Sequence, residues 1–144
     1  MNSKPIRVLV VEDEPLLLEE LVAGLEEDPL IQVCGQAGDV QTAYEQVLST
    51  RPDAIFLDIK LEGGSGFDLL RRLKAENRPV PPVVLNTGYE KFEYAKTAIN
   101  EFKDDIVNLL QKPFFRDWRT KREMCLQAIL SYKDNKDNDN VFKD

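Results

Sequence analysis

Acidic side chains follow two apolar runs of this sequence, at the point where each run ends. The run 6–11 leads into Glu12 and Asp13, and the run 54–57 leads into Asp58. Carboxylates held close together repel each other unless a cation lies among them, and oxygen ligands with room for water suit Mg²⁺. The pattern predicts a magnesium site in which Asp13 and Asp58 bind the ion and Glu12 acts mainly through bound water.

A threonine and a lysine follow two further apolar runs. The run 83–86 ends at Thr87, and the run 106–110 is followed by Lys112. Phosphoryl transfer needs mainly positioning and cancellation of charge, and an ammonium against a phosphoryl oxygen supplies part of that cancellation. Taken singly, such an acid or lysine is usually a solvated loop residue and threonine a common strand residue, so the prediction depends on the whole set.

The elements that position these residues are predicted from hydrophobic periodicity and turn signals. Five segments are predicted as strands: β1 (about 5–11), β2 (about 32–36), β3 (54–58), β4 (83–86) and β5 (about 105–111). Five are predicted as helices: α1 between Pro15 and Pro29, α2 after the N-cap Asp39, α3 (about 66–76), α4 with Phe92, Ala95, Ile99 and Phe102, and α5 (about 115–132).

Alternation of strands and helices implies an α/β doubly wound fold, with a five-stranded parallel sheet, right-handed crossovers and helices on both faces. The carboxyl ends of parallel strands meet at one edge of such a sheet, and the loops there hold reactive groups. The predicted fold therefore brings the acids, the threonine and the lysine to the same place.

Length and composition restrict the possible functions. The chain has 144 residues, of which 42% are hydrophobic and 31% charged, as is typical of one globular domain. Its formal net charge of −7 disfavours direct nucleic-acid binding, which needs a basic face. Because the chain contains no histidine, it cannot be a phosphohistidine donor; if phosphoryl chemistry occurs here, the phosphoryl group must come from another molecule.

The sequence favours a cytoplasmic location. It has no apolar run long enough to span a bilayer and no signal-peptide pattern at its start. Cys34 and Cys125 are far apart and lack metal-ligand spacing, so we interpret both as reduced structural thiols rather than as a disulfide.

In their order and placement these motifs resemble the receiver domain of two-component response regulators. The matching residues are Val10-Val11-Glu12-Asp13-Glu14-Pro15, Leu57-Asp58 with Gly66 downstream, Thr87-Gly88 and Lys112-Pro113-Phe114. The resemblance covers about residues 5–132 and implies a (βα)5 flavodoxin-like fold with strand order 2-1-3-4-5.

The resemblance also implies a role for each candidate residue. Asp58 would be the phosphoacceptor, and the backbone carbonyl of Lys60 would complete the protein ligands of Mg²⁺. Lys112, before a cis Pro113, would contact a phosphoryl oxygen, and Thr87 would hydrogen-bond the phosphoryl group after transfer. The domain would then be no enzyme towards other molecules, but a phosphoryl acceptor that assists its own phosphorylation and dephosphorylation.

The partner that the resemblance implies is a histidine kinase or a histidine phosphotransfer protein. Phosphorylation would switch an output surface, which we expect on the α4–β5–α5 face, and the same face could support a homodimer. We expect neither membrane contact nor direct nucleic-acid binding from this domain.

Two features depart from the family pattern. Leu109 stands where an aromatic side chain usually turns inward as the threonine moves, and Phe102 is a nearby ring that could replace it. The segment between Thr87 and Lys112 is longer than usual and lacks the common Gly-Ala-x-Asp-Tyr pattern.

Two stretches of the sequence suggest what could follow the domain. The stretch 87–95 is most similar to receivers that precede LytTR-type DNA-binding domains. From Lys133 onward the composition is polar with no apolar period, which predicts a solvated tail or linker. The predicted organisation is one receiver domain over 1–132, followed at 133–144 by a segment to which an output domain would attach.

Other functional classes stay open at this stage. A receiver-like interaction domain that does not depend on phosphorylation is favoured by Leu109 and disfavoured by the intact acidic set. A Mg²⁺-dependent phosphatase with an aspartate nucleophile generally needs a second acid two residues later, where this chain has Lys60. A flavodoxin-like FMN binder shares the topology but does not need Asp13, Asp58 and Lys112 together.

Overall fold

The structure of the chain is a computed structural model that describes residues 4–88, 96 and 100–141. Its main sheet has five strands: β1 Ile6–Val11, β2 Ile31–Ala37, β3 Ala54–Asp58, β4 Val83–Thr87 and β5 Ile106–Gln111. The helices bounded within the described residues are α1 Pro15–Glu26, α2 Val40–Thr50, α3 Gly66–Ala75 and α5 Trp118–Val141. Neighbouring strands are parallel and their order is 2-1-3-4-5, which confirms the predicted topology.

The predicted helix α4 falls mostly outside the described part of the chain. Residues 96, 100 and 101 are helical. Outside the described residues lie Phe92, Ala95 and Ile99 of the predicted apolar stripe, together with most of the LytTR-like stretch.

Strand alternation divides the buried apolar side chains into two cores. One core, packed against α2 and α3, takes from the strands Leu9, Val11, Ile55, Leu57, Val83 and Leu85. The other core, packed against α1 and α5, takes Val8, Val10, Phe56, Val84 and Leu110. Because successive side chains of a strand point to opposite faces, Glu12, Asp58, Asn86 and Lys112 continue the second set, on the α1–α5 side.

Helices α1 and α2 begin where the sequence predicts. Pro15 occupies the first turn of α1, where a backbone N–H has no partner within the helix and its loss costs little. Asp39 caps α2, because its Oδ1 accepts a hydrogen bond from the backbone N–H of Thr42 at 2.7 Å. Both helices start just after strands, so their caps also fix how the chain leaves the sheet edge.

Helix α5 differs from the prediction at both ends. It begins at Trp118, after Asp117 in the left-handed conformation (φ 55°), and it continues to Val141 rather than ending near 132. The segment contains no glycine or proline, and extending an existing helix adds one hydrogen bond for each residue. Lys133 also donates a hydrogen bond to Asp53 Oδ1 at 2.9 Å, which holds the helix to the body of the fold.

Two expectations about the whole chain can be compared with the structure. Cys34 and Cys125 are both free thiols, as predicted, and burial raises the pKa of Cys125 to about 11. Within residues 4–88, 96 and 100–141, no helix combines the length and the apolar character that crossing a membrane requires.

A short hairpin joins β3 to α3. Lys60–Leu61 pairs antiparallel with Gly64–Ser65, and Gly63 makes the turn with a φ of 81°. The backbone N–H of Gly66 donates to the carbonyl of Ile59 at 2.7 Å. The glycine-rich stretch therefore forms a defined turn beside the end of β3.

Substituting Gly66 with alanine should destabilise the fold. A Cβ at this position would meet the Asp58 carbonyl oxygen and would lie 2.8 Å from Cγ of Leu57, so the backbone would have to shift. Overpacking of this kind costs roughly 1–3 kcal/mol, which urea unfolding followed by circular dichroism can measure. Gly88→Ala is the matched control, because a Cβ there would have no atom of the described residues, its chain neighbours apart, within 4 Å. Equal unfolding midpoints for the two variants would contradict the close approach.

Candidate functional site

The acidic residues singled out in the sequence lie together at the carboxyl edge of the sheet. Glu12 and Asp13 follow β1, and Asp58 is the last residue of the adjacent β3. One carboxylate oxygen from each lies within 4.8 Å of the other two. Glu12 and Asp58 are buried, whereas Asp13 is exposed, so the cluster is open to solvent on one side.

Lys112 binds two of these carboxylates. Its Nζ donates to Glu12 Oε1 at 2.8 Å and to Asp58 Oδ2 at 3.0 Å. The backbone N–H of Lys112 donates to the Thr87 carbonyl at 2.7 Å, which fixes the residue to the end of β4. The peptide bond to Pro113 is cis, the geometry that the family resemblance implies.

The charges in this cluster shift the pKa values of its members. Burial is the main reason that the pKa of Glu12 is raised; Asp58 raises it further, and the Lys112 ammonium offsets this only in part. Burial, followed by the neighbouring Glu12, also raises the pKa of Asp13. Burial alone would lower the pKa of Lys112, but its contacts with Glu12 and Asp58 outweigh burial and leave the pKa raised. The cluster has more anions than cations, which favours an added cation.

Thr87 and Lys60 lie at the edge of the cluster. Thr87 is buried, and its hydroxyl donates to the backbone carbonyl of Gly88 at 3.1 Å rather than to a carboxylate. Lys60 is exposed and lines the same cleft as the acids. The structure thus brings the acids and Lys112 into one cluster and leaves the Thr87 hydroxyl bonded elsewhere.

An open cleft of about 670 Å³ lies over the cluster. Its lining includes the carboxylates and Lys112 together with apolar side chains, Leu17 from α1 and Phe114 and Phe115 from the turn before α5. The Phe114 ring lies 4.8 Å from that of Phe115 and 5.7 Å from that of Trp118, so the apolar lining is backed by packed rings. The cleft therefore combines a charged carboxylate cluster with apolar side chains.

The sequence analysis missed Asn86, which lies in the layer of the carboxylates. It is fully buried, and it stands in register with Asp58 on one side and Leu110 on the other. Neither amide atom has a hydrogen-bond partner among the described residues. The signal for it is in the sequence, because a polar amide interrupts the otherwise apolar run of β4.

Leu109 and Phe102 occupy different environments. Leu109 lies on the edge strand β5, is 39% exposed, and lines a small pocket with Met124. Phe102 is buried, and its ring stacks on Phe67 with centroids 5.9 Å apart in the α2–α3 core. Phe102 is therefore a core residue in this structure, and Leu109 is a surface residue.

A family model for the response regulator receiver domain matches residues 8–121. The chain belongs to this family. The matched range includes all three carboxylates of the cluster together with Thr87 and Lys112.

Two curated relatives of this receiver domain are longer than the chain itself. The sensory transduction protein LytT of Bacillus cereus is 34% identical over 131 residues, which cover 91% of this chain and 48% of LytT. Protein-glutamate methylesterase/protein-glutamine glutaminase 5 of Anaeromyxobacter dehalogenans is 42% identical over 112 residues, which cover 78% of this chain and 30% of that protein. The chain therefore spans about half of the first relative and less of the second.

Solved receiver structures have the same fold. The REC domain of AraT, a response regulator from Geobacillus stearothermophilus, superposes with a TM-score of 0.75 at 25% identity and covers 91% of this chain and 98% of that domain. A putative response regulator from Chloroflexus aurantiacus gives a TM-score of 0.72 at 26% identity, with 89% and 99% covered. These similarities confirm the predicted receiver fold.

Replacing Lys112 with methionine should destabilise the receiver domain at neutral pH. The change leaves the buried carboxylates of Glu12 and Asp58 without their hydrogen-bonded cation. Removing one member of a buried pair costs roughly 3–5 kcal/mol, and we expect about 2–3 kcal/mol here because Lys112 is 26% exposed. The loss of stability should be smaller at about pH 5 than at about pH 7. The pKa of Glu12 is raised in the folded state, so on acidification the folded state takes up more protons than the unfolded state. Protonation of Glu12 then removes part of the unpaired negative charge that the variant leaves buried.

Lys133→Met is the matched control for this measurement. Lys133 pairs with Asp53 at 2.9 Å, but the two side chains are 39% and 30% exposed, so its loss should cost less than about 1 kcal/mol. Urea unfolding at both pH values measures the two variants. A loss for Lys112→Met that equals the control, or that does not change with pH, would contradict this account of the cluster.

Proposed function

We propose that this receiver domain accepts a phosphoryl group on Asp58 from the phosphohistidine of a histidine kinase or a histidine phosphotransfer protein. The observation that carries the proposal is the Lys112 ammonium, which is hydrogen-bonded to Asp58 within a three-carboxylate cluster that lines an open cleft. Membership of the receiver family supports the same role. Because the chain has no histidine, the donor group belongs to a partner.

The carboxylate cluster fits Mg²⁺ by the chemistry of its donors. Its hard oxygen atoms lie within 4.8 Å of one another, and Asp13 is exposed, which leaves room for water ligands. Asp13 and Asp58 would hold the ion directly, together with the backbone carbonyl of Lys60, and Glu12 would hold it through water. When bound, the ion offsets the negative charge of the phosphoryl oxygens.

Asp58 carries out the substitution in this proposal. One of its carboxylate oxygens attacks phosphorus, the P–N bond to the donor breaks, and its electron pair returns to the imidazole nitrogen, which takes up a proton. The Lys112 Nζ lies 3.0 Å from Asp58 Oδ2, so the ammonium is already placed to contact an oxygen of the incoming group. Its raised pKa keeps the ammonium charged at neutral pH.

Switching depends on a change of partner at Thr87. The hydroxyl donates to the Gly88 carbonyl and must give up this bond before it can donate to a phosphoryl group on Asp58. The new bond exists only in the phosphorylated form, so it supplies the differential contact that shifts a conformational equilibrium. Leu109 stands where the family usually has an aromatic residue. The conformational shift would therefore reach the surface without the movement of an aromatic ring at position 109.

We assign the domain the role of an acceptor that assists its own phosphorylation and dephosphorylation, rather than that of an enzyme acting on other molecules. A phosphatase with an aspartate nucleophile would have a second acid where this chain has Lys60. The esterase activity in the name of one relative belongs to a protein of which this chain covers 30%.

The organisation of the chain is part of the proposal. We place the receiver domain at 1–132 and a connecting segment at 133–144, with α5 continuing into the connecting segment as far as Val141. The net charge of −7 supports a domain that does not itself bind nucleic acid. The two free thiols are consistent with a cytoplasmic location.

Incubation with acetyl phosphate should add one phosphoryl group to the protein in a Mg²⁺-dependent manner. Intact-mass spectrometry measures the addition directly. Asp58→Asn should show no addition, because it lacks the attacking carboxylate. Asp53→Asn is the matched control, since it changes an aspartate near the opposite end of β3 and should be phosphorylated like the parent.

Two results would contradict the proposed function. Failure of the parent protein to bind Mg²⁺ in a calorimetric titration would remove the basis for the acidic site. Binding of Mg²⁺ without phosphorylation, by either acetyl phosphate or a phosphorylated histidine donor, would favour a receiver-like interaction domain that does not depend on phosphorylation.

We also propose that the α4–β5–α5 face supports a homodimer of the phosphorylated domain. Two large apolar side chains are exposed there, Leu109 on β5 at 39% and Met124 on α5 at 60%, and both line a pocket of about 330 Å³. Leu110 and Pro113 line the same pocket, so it joins the edge strand to the end of the site that contains Lys112.

Leu109→Asp should prevent this dimer, because the interface would then have to bury an unpaired carboxylate. Sedimentation velocity with acetyl phosphate and Mg²⁺ measures the dimer fraction, which we expect to fall at least ten-fold. Leu30→Asp is the control, because Leu30 is 44% exposed and lies before β2, at the other edge of the sheet. A parent protein that stays monomeric, or a dimer that Leu109→Asp leaves intact, would reject the interface.

A further inference from the structure

Asn86 is a buried polar side chain that the proposed phosphorylation chemistry does not use. Its exposure is 0%, and neither its amide oxygen nor its amide nitrogen has a hydrogen-bond partner among the described residues. Leaving a buried polar group without a partner costs free energy, and an apolar residue would fill the same position at no such cost. A hydrogen-bond partner that the amide meets in another state of the site would explain why an amide occupies this position.

The position of Asn86 in the sheet identifies that partner. In the strand order, β4 lies between β3, which ends in Asp58, and β5, which leads to Lys112. Asn86 is paired with Asp58 on one side and with Leu110 on the other, and adjacent strands are about 4.8 Å apart. The Lys112 side chain must cross the end of β4 to reach Asp58, and strand alternation places Asn86 on the same face. Asn86 therefore lies next to the path of the lysine.

The described hydrogen bonds of the Lys112 ammonium leave one of its N–H groups to donate to the Asn86 amide oxygen. An ammonium has three N–H donors, and the described contacts of Lys112 Nζ are Glu12 Oε1 at 2.8 Å and Asp58 Oδ2 at 3.0 Å. Both acceptors belong to the carboxylate cluster that fits Mg²⁺. An ammonium and a divalent cation on the same oxygens repel each other, so Lys112 must give up part of its contact when the cation binds.

We propose that Asn86 receives the Lys112 ammonium when a divalent cation takes the carboxylates. This inference rests on the proposed function, because it concerns the same magnesium site. The amide oxygen accepts an N–H of the displaced ammonium, so the lysine keeps a hydrogen-bonded place beside Asp58 while the cation binds. Asn86 is thus a positioning residue that acts through Lys112, and its effect is on the affinity of the site for the cation.

The competing explanation is that Asn86 only fills space in the α1–α5 core. Asn86→Leu distinguishes the two, because leucine has nearly the same shape and has no amide. A space-filling role predicts that this variant binds Mg²⁺ like the parent. A positioning role predicts weaker binding, because the displaced ammonium loses its acceptor. Replacing a buried amide that has no partner in the described part of the chain with an apolar side chain should leave the thermal stability without Mg²⁺ unchanged or higher.

Isothermal titration calorimetry of the whole chain with MgCl₂ tests the proposal. We expect the dissociation constant for Mg²⁺ to rise about ten-fold in Asn86→Leu, which is the size expected for one hydrogen bond to a charged group. Asn86→Thr, which restores a hydroxyl acceptor, should recover most of the affinity. Asn108→Leu is the matched control, because it removes an amide from β5 whose Nδ2 is bonded to Cys125 Sγ at 3.5 Å rather than facing the ammonium.

A double-mutant cycle tests whether Asn86 acts through the lysine. In a Lys112→Met background there is no ammonium to receive, so adding Asn86→Leu should change the dissociation constant by less than about two-fold. Equal Mg²⁺ affinity of Asn86→Leu and the parent, or an equal loss in the Lys112→Met background, would overturn the inference while leaving the proposed function intact. A parent that does not bind Mg²⁺ would overturn both.

Discussion

The balance of charge at the carboxyl edge of the sheet is the constraint on which this site depends. Three carboxylates lie within 4.8 Å of one another, two of them buried, and the Lys112 ammonium is hydrogen-bonded to the two buried ones. Burial favours the neutral forms of Glu12 and Asp13, whereas the ammonium favours their charged forms. The raised pKa values of Glu12 and Asp13 show that a single ammonium does not fully compensate, so the cluster is arranged to take a further positive charge.

The fold makes this arrangement possible because the charged residues lie on a layer of buried apolar side chains. The side chains beneath Glu12, Asp58 and Lys112 on the same face are Val10, Phe56 and Leu110, all buried. A buried leucine or phenylalanine contributes about 1.5–3 kcal/mol, so many such residues offset the cost of the ionic layer. The opposite face of the same strands belongs to the other core, to which Leu85 of β4 contributes.

Much of this organisation was predictable from the sequence because it depends on local patterns. Apolar runs locate the parallel strands, Asp39 signals the start of α2, and strand-end acids with a distant lysine indicate the cluster. What was missed depends on contacts between distant residues. The polar end of α5 lacks an apolar period, but the chain stays helical and Lys133 pairs with Asp53. The amide of Asn86 interrupts an apolar run in the sequence, but its place beside Asp58 and its burial follow from the pairing of distant strands.

Helix α5 has a mechanical consequence. Its 24 residues correspond to a rod about 36 Å long, and its contact at Lys133 lies at the end of the sheet opposite the carboxylate cluster. The stretch from 134 to 141 continues the helix beyond this contact with a defined rotational phase. If the helix continued into a further structure, each residue added to or removed from the stretch would rotate that structure by about 100° about the helix axis. The length of the stretch would therefore set the orientation of that structure as well as its distance from the domain.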